Sequence, residues 1–554
     1  MSRGPWSARR PRRVTPRLYA LAASVLVFLV VLASVGLYFA RSKEAPARGG
    51  VLTEGIVIDL SSGGGGFSLL PAFAEVPPSR DVAGLLYRGL TRTGPDGRPQ
   101  PELATKWEVD AGVKVFTFHL RKGLRWSDGV PLTSADAVYT LGVLQDASLA
   151  QTQAGRAWGG ITVAAPDPLT VVYTLPAPSA GFVNLTRIGL LPQHFLKPRP
   201  VVGMRDTADA PTSGPFRIDH VERDRVVLRR SARSFEPAWL DGIDLKLFTS
   251  TNAAVQALVT GDIDTFAGLM TSDAARVSST LNRRVLRAGT FAYSELLFNQ
   301  KQPILADVAV RKAISQAVDR RRAIANSLQG FGRLDGSPIP PTISWAAAPD
   351  SGIALNRAAA AKAMDAAGWK QPSLGAVRVN KDGSPLELKL AAVDLDPYNA
   401  VATQAVSDLR AVGIRAKLSL LSGQQLLAQL QARNFDMVLT ALDNGPDPDI
   451  YVFWHSSQAV TGGFNFSGMP KDAFLDKDLE DGRFNYDLKT RKTAYLDAQK
   501  ILRQDVAAGF LFSPDFLIGF NNRVKGVRLN PAMESSGRYD FVSEWYVESQ
   551  RVGK

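Results

Sequence analysis

Residues 400–449 read AVATQAVSDLRAVGIRAKLSLLSGQQLLAQLQARNFDMVLTALDNGPDPD, and the change of period along them decides the fold class. Helical spacing runs from about Ala400 to Val412 and stops at Gly413, a residue suited to the left-handed turn that ends helices. Ile414, Ala416, Leu418 and Leu420 then recur at every second position, the mark of a half-buried strand. Gly423 to Arg433 returns to helical spacing, and Phe435 to Ala441 is an apolar strand. Helix, strand, helix and strand in this order predict an α/β lobe with a substantially parallel sheet.

The run ends in Asp443-Asn444-Gly445-Pro446-Asp447-Pro448-Asp449. Pro446 and Pro448 cannot continue a central strand, so the chain must turn. Open α/β sheets collect ligands just beyond the carboxyl ends of their strands, and this loop puts three acidic side chains there. The same residues also make an ordinary polar turn, and local sequence leaves both readings open.

The helix–strand alternation begins near residue 300. Asp307 caps a helix whose apolar positions are Val310, Ile314, Ala317, Val318 and Ile324, and Asn356 caps an alanine-rich helix that stops at Gly368. Nearer the N-terminus the pattern is different. Phe116, Phe118 and Leu120 alternate with Thr117 and His119 as a strand, turn signals follow at Lys122-Gly123 and Ser127-Asp128-Gly129, and Thr133 with Asp136 forms a capping box. Gly261-Asp-Ile-Asp264 reads as a helix-to-strand connection. Gly63 to Gly66 is followed by no Gly-Lys-Ser/Thr, so it reads as a flexible loop and not a phosphate cradle.

Leu18 to Ala40 holds 23 residues without a charge, a helix of about 34 Å and long enough for a hydrocarbon core. Arg3, Arg9, Arg10, Arg12, Arg13 and Arg17 precede it in a basic tail, residues 1–17, which sets the N-terminus in the cytoplasm and the body outside. Ala45-Pro46-Ala47 offers a signal-peptide cleavage site, but the apolar run exceeds the roughly 7–15 residues of a signal core, so a retained anchor is favoured. Residues 41–50 read as a short flexible tether.

Composition removes several function classes. Residues 1–49 carry nine Arg or Lys and one Glu, a net +8 out of the chain's +13, leaving a body too mildly basic to argue for nucleic acid. The chain has no cysteine, which excludes disulfides, thiolate metal sites, a cysteine nucleophile and a lipid-modified N-terminal cysteine. It has no Gly-x-Ser-x-Gly elbow and no His-Glu-x-x-His helix, so an extracellular hydrolase has little support. Its four histidines, His119, His194, His220 and His455, lack ligand spacing; only His455 lies near the acidic loop. No catalytic residue, metal site or cofactor is expected. The 17 residues ahead of the apolar run cannot hold a helix-turn-helix domain.

Several phrases occur in one order: Tyr87-Arg-Gly-Leu-Thr91, Pro101-Glu-Leu-Ala104 with Trp107, Phe116 to Gly123, Trp126 to Thr133, Ser213-Gly-Pro-Phe216, Gly261 to Asp264, Leu297-Phe-Asn299, Val310-Arg-Lys-Ala-Ile314, Asn434-Phe-Asp-Met437 and Asp443 to Asp449. Over roughly residues 50–550 this set resembles the family 5 extracellular solute-binding proteins, the oligopeptide- and dipeptide-binding receptors of ATP-binding-cassette (ABC) importers. The resemblance implies an α/β, two-lobed clam-shell fold of the type II periplasmic-binding kind. The first lobe would span 51–288 with an extra subdomain at about 85–200. The second lobe would span 289–520, and residues 521–554 would return to the first near Val524-Lys-Gly-Val527. It also implies a receptor, not an enzyme, that captures a peptide and delivers it to a permease and its ATPase. The body would be extracytoplasmic, with the apolar helix replacing the lipid as anchor.

By the same resemblance Asp443 is the carboxylate for the ligand's α-ammonium group, and Asn299 is the family's recurring asparagine beside the cleft. Trp454 and Tyr451 are candidates for lining a pocket. One residue is inserted before Asp447 relative to the family's run; matching on the trailing Pro-Asp-Pro-Asp instead moves Asn444 into the place of Asp443. The alternatives are a membrane-tethered sensor and a receptor for another cargo, such as a sugar, an opine or a metal chelate.

Overall fold

The strand Ala508–Asn521 runs through two sheets and joins them into one hydrogen-bonded network of 12 strands. Its first residues, 508–512, pair antiparallel with Ala292–Phe298, and residues 515–521 pair antiparallel with Arg283–Gly289. The partners are themselves consecutive: Arg283–Gly289 leaves one sheet, and after Thr290 and Phe291 the chain enters the other as Ala292–Phe298. Two neighbouring strands therefore cross between the sheets side by side. The computed structural model describes residues 23–32, 42–58, 67–205, 207–349, 352–531 and 533–553.

The sheet built from the C-terminal half has the order Arg415–Leu421, Glu387–Val393, Met437–Asp443, Ala292–Phe298, Ala508–Asn521. Glu387–Val393 pairs parallel with the strands on both its sides, and the remaining pairs are antiparallel. The substantially parallel sheet expected from the sequence is thus mixed. The helix–strand alternation correctly reports the crossover connections, but Ala292–Phe298 arrives from the other sheet and runs the opposite way. Alternate residues bury both faces. Leu296 and Phe298 join Leu388, Leu390, Met437 and Leu439 on one side, while Tyr293 and Leu297 join Ala391 and Val438 on the other. The flanking helices begin where short polar side chains satisfy free amides: Asp307 accepts from Ala309 N and Asn356 from Ala359 N.

In the other sheet Val51–Val57 pairs parallel with Gly242–Phe248 and with Thr265–Ala267, and the antiparallel strands Arg225–Arg230 and Phe216–Val221 form its edge. A separate four-stranded antiparallel sheet comprises Ala104–Val109, Val115–Leu120, Thr170–Thr174 and Thr162–Asp167, in that spatial order. Its inner face carries Phe116 and Phe118 against Tyr173, Trp158 and Phe182, with ring centroids 4.9–6.0 Å apart. The helix Ser134–Leu144 opens with the Thr133–Asp136 capping box. After Asn521 the chain returns to this half, burying Val524, Tyr539, Val542 and Trp545 in its core.

The flexible tether expected at residues 41–50 is, in its described part, 42–50, instead ordered structure. Ser42–Pro46 pairs antiparallel with the C-terminal strand Ser549–Gly553, Glu44 forms an ion pair with Lys525, and the amides of Ala47 and Gly49 donate to Glu548 O and Trp239 O at 3.0 and 3.1 Å. Small and charged residues gave the segment a linker's composition, and its partner lies at the far end of the chain, where no local signal reaches. The apolar run Leu18–Ala40 lies mostly outside the described residues. Its described part, 23–32, is helical with Val25 to Leu32 exposed. Among the described residues no helix is long and apolar enough to cross a membrane. Gly63 to Gly66 lie outside the described residues.

Candidate ligand-binding site

The loop after Met437–Asp443 reaches the opposite half of the molecule, and its three acids meet different fates. Asp447 is taken by Arg491 at 2.7 Å and by Asn184 Nδ2 at 3.2 Å. Asp449 is taken by Arg483 at 2.7 Å and accepts from Tyr451 N; burial pushes its carboxyl up while Arg483 opposes the shift. Asp443 makes no ion pair among the described residues. Its Oδ1 accepts from Gly445 N at 2.8 Å, and its side chain remains open to solvent.

Asp443 nevertheless has Glu534, Arg187 and Arg80 within electrostatic range. Burial pushes its carboxyl above the ordinary carboxylate range against the pull of the Gly445 amide, and Glu534 adds to the rise while Arg187 and Arg80 oppose it. The hydroxyl of Tyr398 is pushed up to about 12, first by burial and then by Asp443. Across from the loop, Arg187 follows the helical turn Phe182–Leu185, and its Nη2 lies 2.5 Å from Glu534 Oε1. Burial works against both charges of this pair. Arg187 outweighs it at Glu534, whose carboxyl is held below its ordinary value, and Glu534, Asp540 and Asp443 together outweigh it at Arg187.

On one flank the two halves touch. Ala180 N donates to Arg483 O at 2.9 Å, Trp107 Nε1 donates to Tyr486 Oη at 2.6 Å, and a Cβ added to Gly97 would lie 3.2 Å from Pro446 O. Asp447 and Asp449 build this contact, and Asp443 stands beside it, facing Arg187 and Glu534. Such a gap offers carboxylates and guanidinium groups to a solute.

The other candidate residues are not brought together with Asp443. Asn444 turns its Nδ2 to Pro338 O at 3.2 Å, within its own half, and its Oδ1 is buried without a partner among the described residues. Asn299 requires correction as a cleft residue. It is buried, donating to Phe435 O at 2.9 Å and accepting from Lys301 N at 3.2 Å. It also follows the far end of the strand whose first residue, Ala292, pairs with Asp443, about 23 Å away at 3.3 Å per residue. Trp454 is likewise core and not pocket wall, buried with its ring 6.0 Å from Phe510. Tyr451 stacks on His455 at 4.1 Å, beneath the guanidinium of Arg483. Among the described residues no group of three or more His, Asp or Glu is arranged to hold a metal ion. Arg187 and Glu534, which face Asp443, had no signal in the sequence: both sit far from the loop in the chain, in stretches without a motif.

Residues 98–463 match the family described as bacterial extracellular solute-binding proteins, family 5 middle. Protein XP55 of Streptomyces lividans is 30% identical over 491 residues, 86% of each chain. The oligopeptide-binding protein AppA of Bacillus subtilis is 25% identical over 507 residues, 89% of this chain and 91% of its own. The structure of AppA in complex with a nonapeptide superimposes with a TM-score of 0.67 at 23% identity, covering 91% of this chain and all of the other. NikZ from Campylobacter jejuni, in complex with Ni(L-His), gives 0.69 at 22% identity over 90% and 99% of the two chains. Identities this low carry the fold and leave the cargo to the site.

Proposed function

This chain belongs to the bacterial extracellular solute-binding proteins of family 5, and from that premise we propose that it is a receptor, not an enzyme, that captures a peptide between its two lobes and delivers it to an ABC import permease. The lobes are residues 51–288 with the return 521–554, and residues 289–520; the subdomain at about 85–200 extends the first. Delivery needs closure around the ligand, and the paired crossing strands Arg283–Phe298 and Ala508–Asn521 are suited to act as the hinge.

The observation that carries this reading is the isolation of Asp443. Two acids of the loop are consumed by Arg491 and Arg483, whereas Asp443 faces the opposite lobe without an ion-pair partner among the described residues. A carboxylate without a fixed ion-pair partner is stabilised by a cation that can reach it, and a peptide's α-ammonium group is such a cation. AppA, similar over most of its length, is an oligopeptide-binding protein, which favours the same cargo.

A metal chelate is the second reading, favoured by the NikZ complex. It is weaker here, because His455 is packed under Tyr451 with Nε2 3.3 Å from Glu480.

The apolar run Leu18–Ala40 serves as a retained single-span anchor that keeps the body on the extracytoplasmic face. Two observations support it: the exposed apolar side chains of Val25 to Leu32, and the position of Ala45 and Pro46 inside a paired strand that cleavage there would destroy. Anchoring raises the receptor's concentration at its permease without any new contact.

A thermal-shift screen of the protein against peptides of two to nine residues, sugars and nickel–histidine tests the assignment. Saturation at 100 times the dissociation constant adds about 2.7 kcal/mol, so peptides should raise the melting temperature and the other solutes should not. Stabilisation by another class alone would replace the cargo.

A further inference from the structure

Glu534 reaches the same gap from the other side. It stands just before the short helix Ser535–Tyr539, whose Arg538 is buried between Glu54 and Asp81, each 2.9 Å away. The backbone carrying Glu534 is therefore pinned to the first lobe, while Asp443 belongs to the second.

The two carboxylates share Gly445 as a neighbour. Glu534 Oε1 lies 3.7 Å from where a Cβ on Gly445 would stand, and the Gly445 amide lies 2.8 Å from Asp443 Oδ1. Standard bond lengths then bring an oxygen of each within at most about 9 Å of the other. Closure of the lobes sets two like charges against one gap, and Arg187, bonded to Glu534, offsets only part of the repulsion.

Resting on the reading of this cleft as a peptide site, we propose that Glu534 is a second ligand-gripping carboxylate, so that the peptide's α-ammonium group is held by Asp443 from one lobe and Glu534 from the other. Arg187 occupies Oε1 of Glu534; among the described residues Oε2 accepts no hydrogen bond. A cation in the gap contacts both acids only when the lobes are together. Its binding therefore favours the closed form by differential affinity, which is what a ligand must supply to shift such an equilibrium. The arrangement also makes a free amino terminus, and not only peptide length, a condition for capture.

The test is a cycle of chemical modification against mutation. One peptide that stabilises the protein is prepared with a free and with an acetylated amino terminus, and both forms are titrated into wild type, Glu534→Gln and Asp443→Asn. The glutamine keeps an oxygen for Arg187 and loses only the charge. Acetylation is expected to weaken wild-type binding at least 30-fold. Glu534→Gln is expected to weaken the free-amine peptide about 10-fold and the acetylated one less than twofold. Equal losses for both peptides would make Glu534 a structural support for Arg187 and overturn the proposal, as would no loss for either. A wild type indifferent to acetylation would overturn the ammonium reading of the whole site. Sensitivity to acetylation that survives in Glu534→Gln but disappears in Asp443→Asn would leave Asp443 as sole anchor and overturn only the role of Glu534.

Discussion

Glu54 and Arg538, 484 positions apart in the chain, form an ion pair at 2.9 Å with both side chains shut off from water. Asp81 completes the set on Arg538 Nη1, and burial raises the Glu54 carboxyl against the pull of the guanidinium. These bonds tie the returning tail to the strand Val51–Val57 and the helix Pro77–Leu86. Removing one member of a buried pair leaves the others uncompensated. Arg538→Ala should therefore lower the unfolding free energy by about 3–5 kcal/mol, read as a fall in the urea midpoint. A change below about 1 kcal/mol would mean that the tail is held by its apolar contacts alone.

Glu295 provides a pH dependence of known sign. It is buried on the strand Ala292–Phe298, its Oε2 has no hydrogen-bond partner among the described residues, and burial pushes its carboxyl up to about 8. A carboxyl whose folded value is raised favours the folded state most below its unfolded value, near 4.5, and that stability is lost as pH rises toward 8. The loss attributable to Glu295 is on the order of 3 kcal/mol between pH 4 and pH 7. Urea midpoints of Glu295→Gln should decline less over this range than those of wild type. Parallel curves would show that Glu295 has a partner when folded.

Asn299 and Trp454 mark how far the sequence was legible. Period and capping signals located Arg357–Ala366, Tyr398–Arg410, Arg415–Leu421, Gly423–Gln431 and Met437–Asp443, because amphipathic spacing and side-chain caps are local. The helix read from Asp307 through Ile324 is instead two, Val308–Ala317 and Arg320–Ser327, and the strand Glu387–Val393 was not foreseen. The register that sets Ala292 opposite Asp443 is not local, and without it Asn299 could not be separated from the cleft. Trp454 follows the acidic loop closely in the chain, yet it turns under the loop into the core. Glu534 and Arg187 were invisible for the same reason: 347 positions separate them, and only the fold brings them together. Asn299→Ala should lower stability by about 1–3 kcal/mol, the cost of unpaired buried groups, and leave ligand affinity unchanged. A selective loss of affinity would return Asn299 to the site.

The pairing of Ser42–Pro46 with Ser549–Gly553 makes these two strands a single structural unit. Deleting residues 549–554 removes the partner strand. Amide exchange at residues 43–45 should then accelerate by at least tenfold, and trypsin should cut rapidly after Lys43, while the melting temperature of the body stays within a few degrees. Exchange at the wild-type rate would show that the segment is held without its partner.

Asp443 carries the central claim, and calorimetry tests it most directly. A free-amine peptide that stabilises the wild-type protein is titrated into wild type and into Asp443→Ala, with unfolding midpoints recorded for both. The variant should show at least a 100-fold larger dissociation constant, about 3 kcal/mol of binding free energy, with an unfolding midpoint no lower than wild type's. Wild-type affinity in Asp443→Ala would contradict that claim and remove the acidic loop from the binding site.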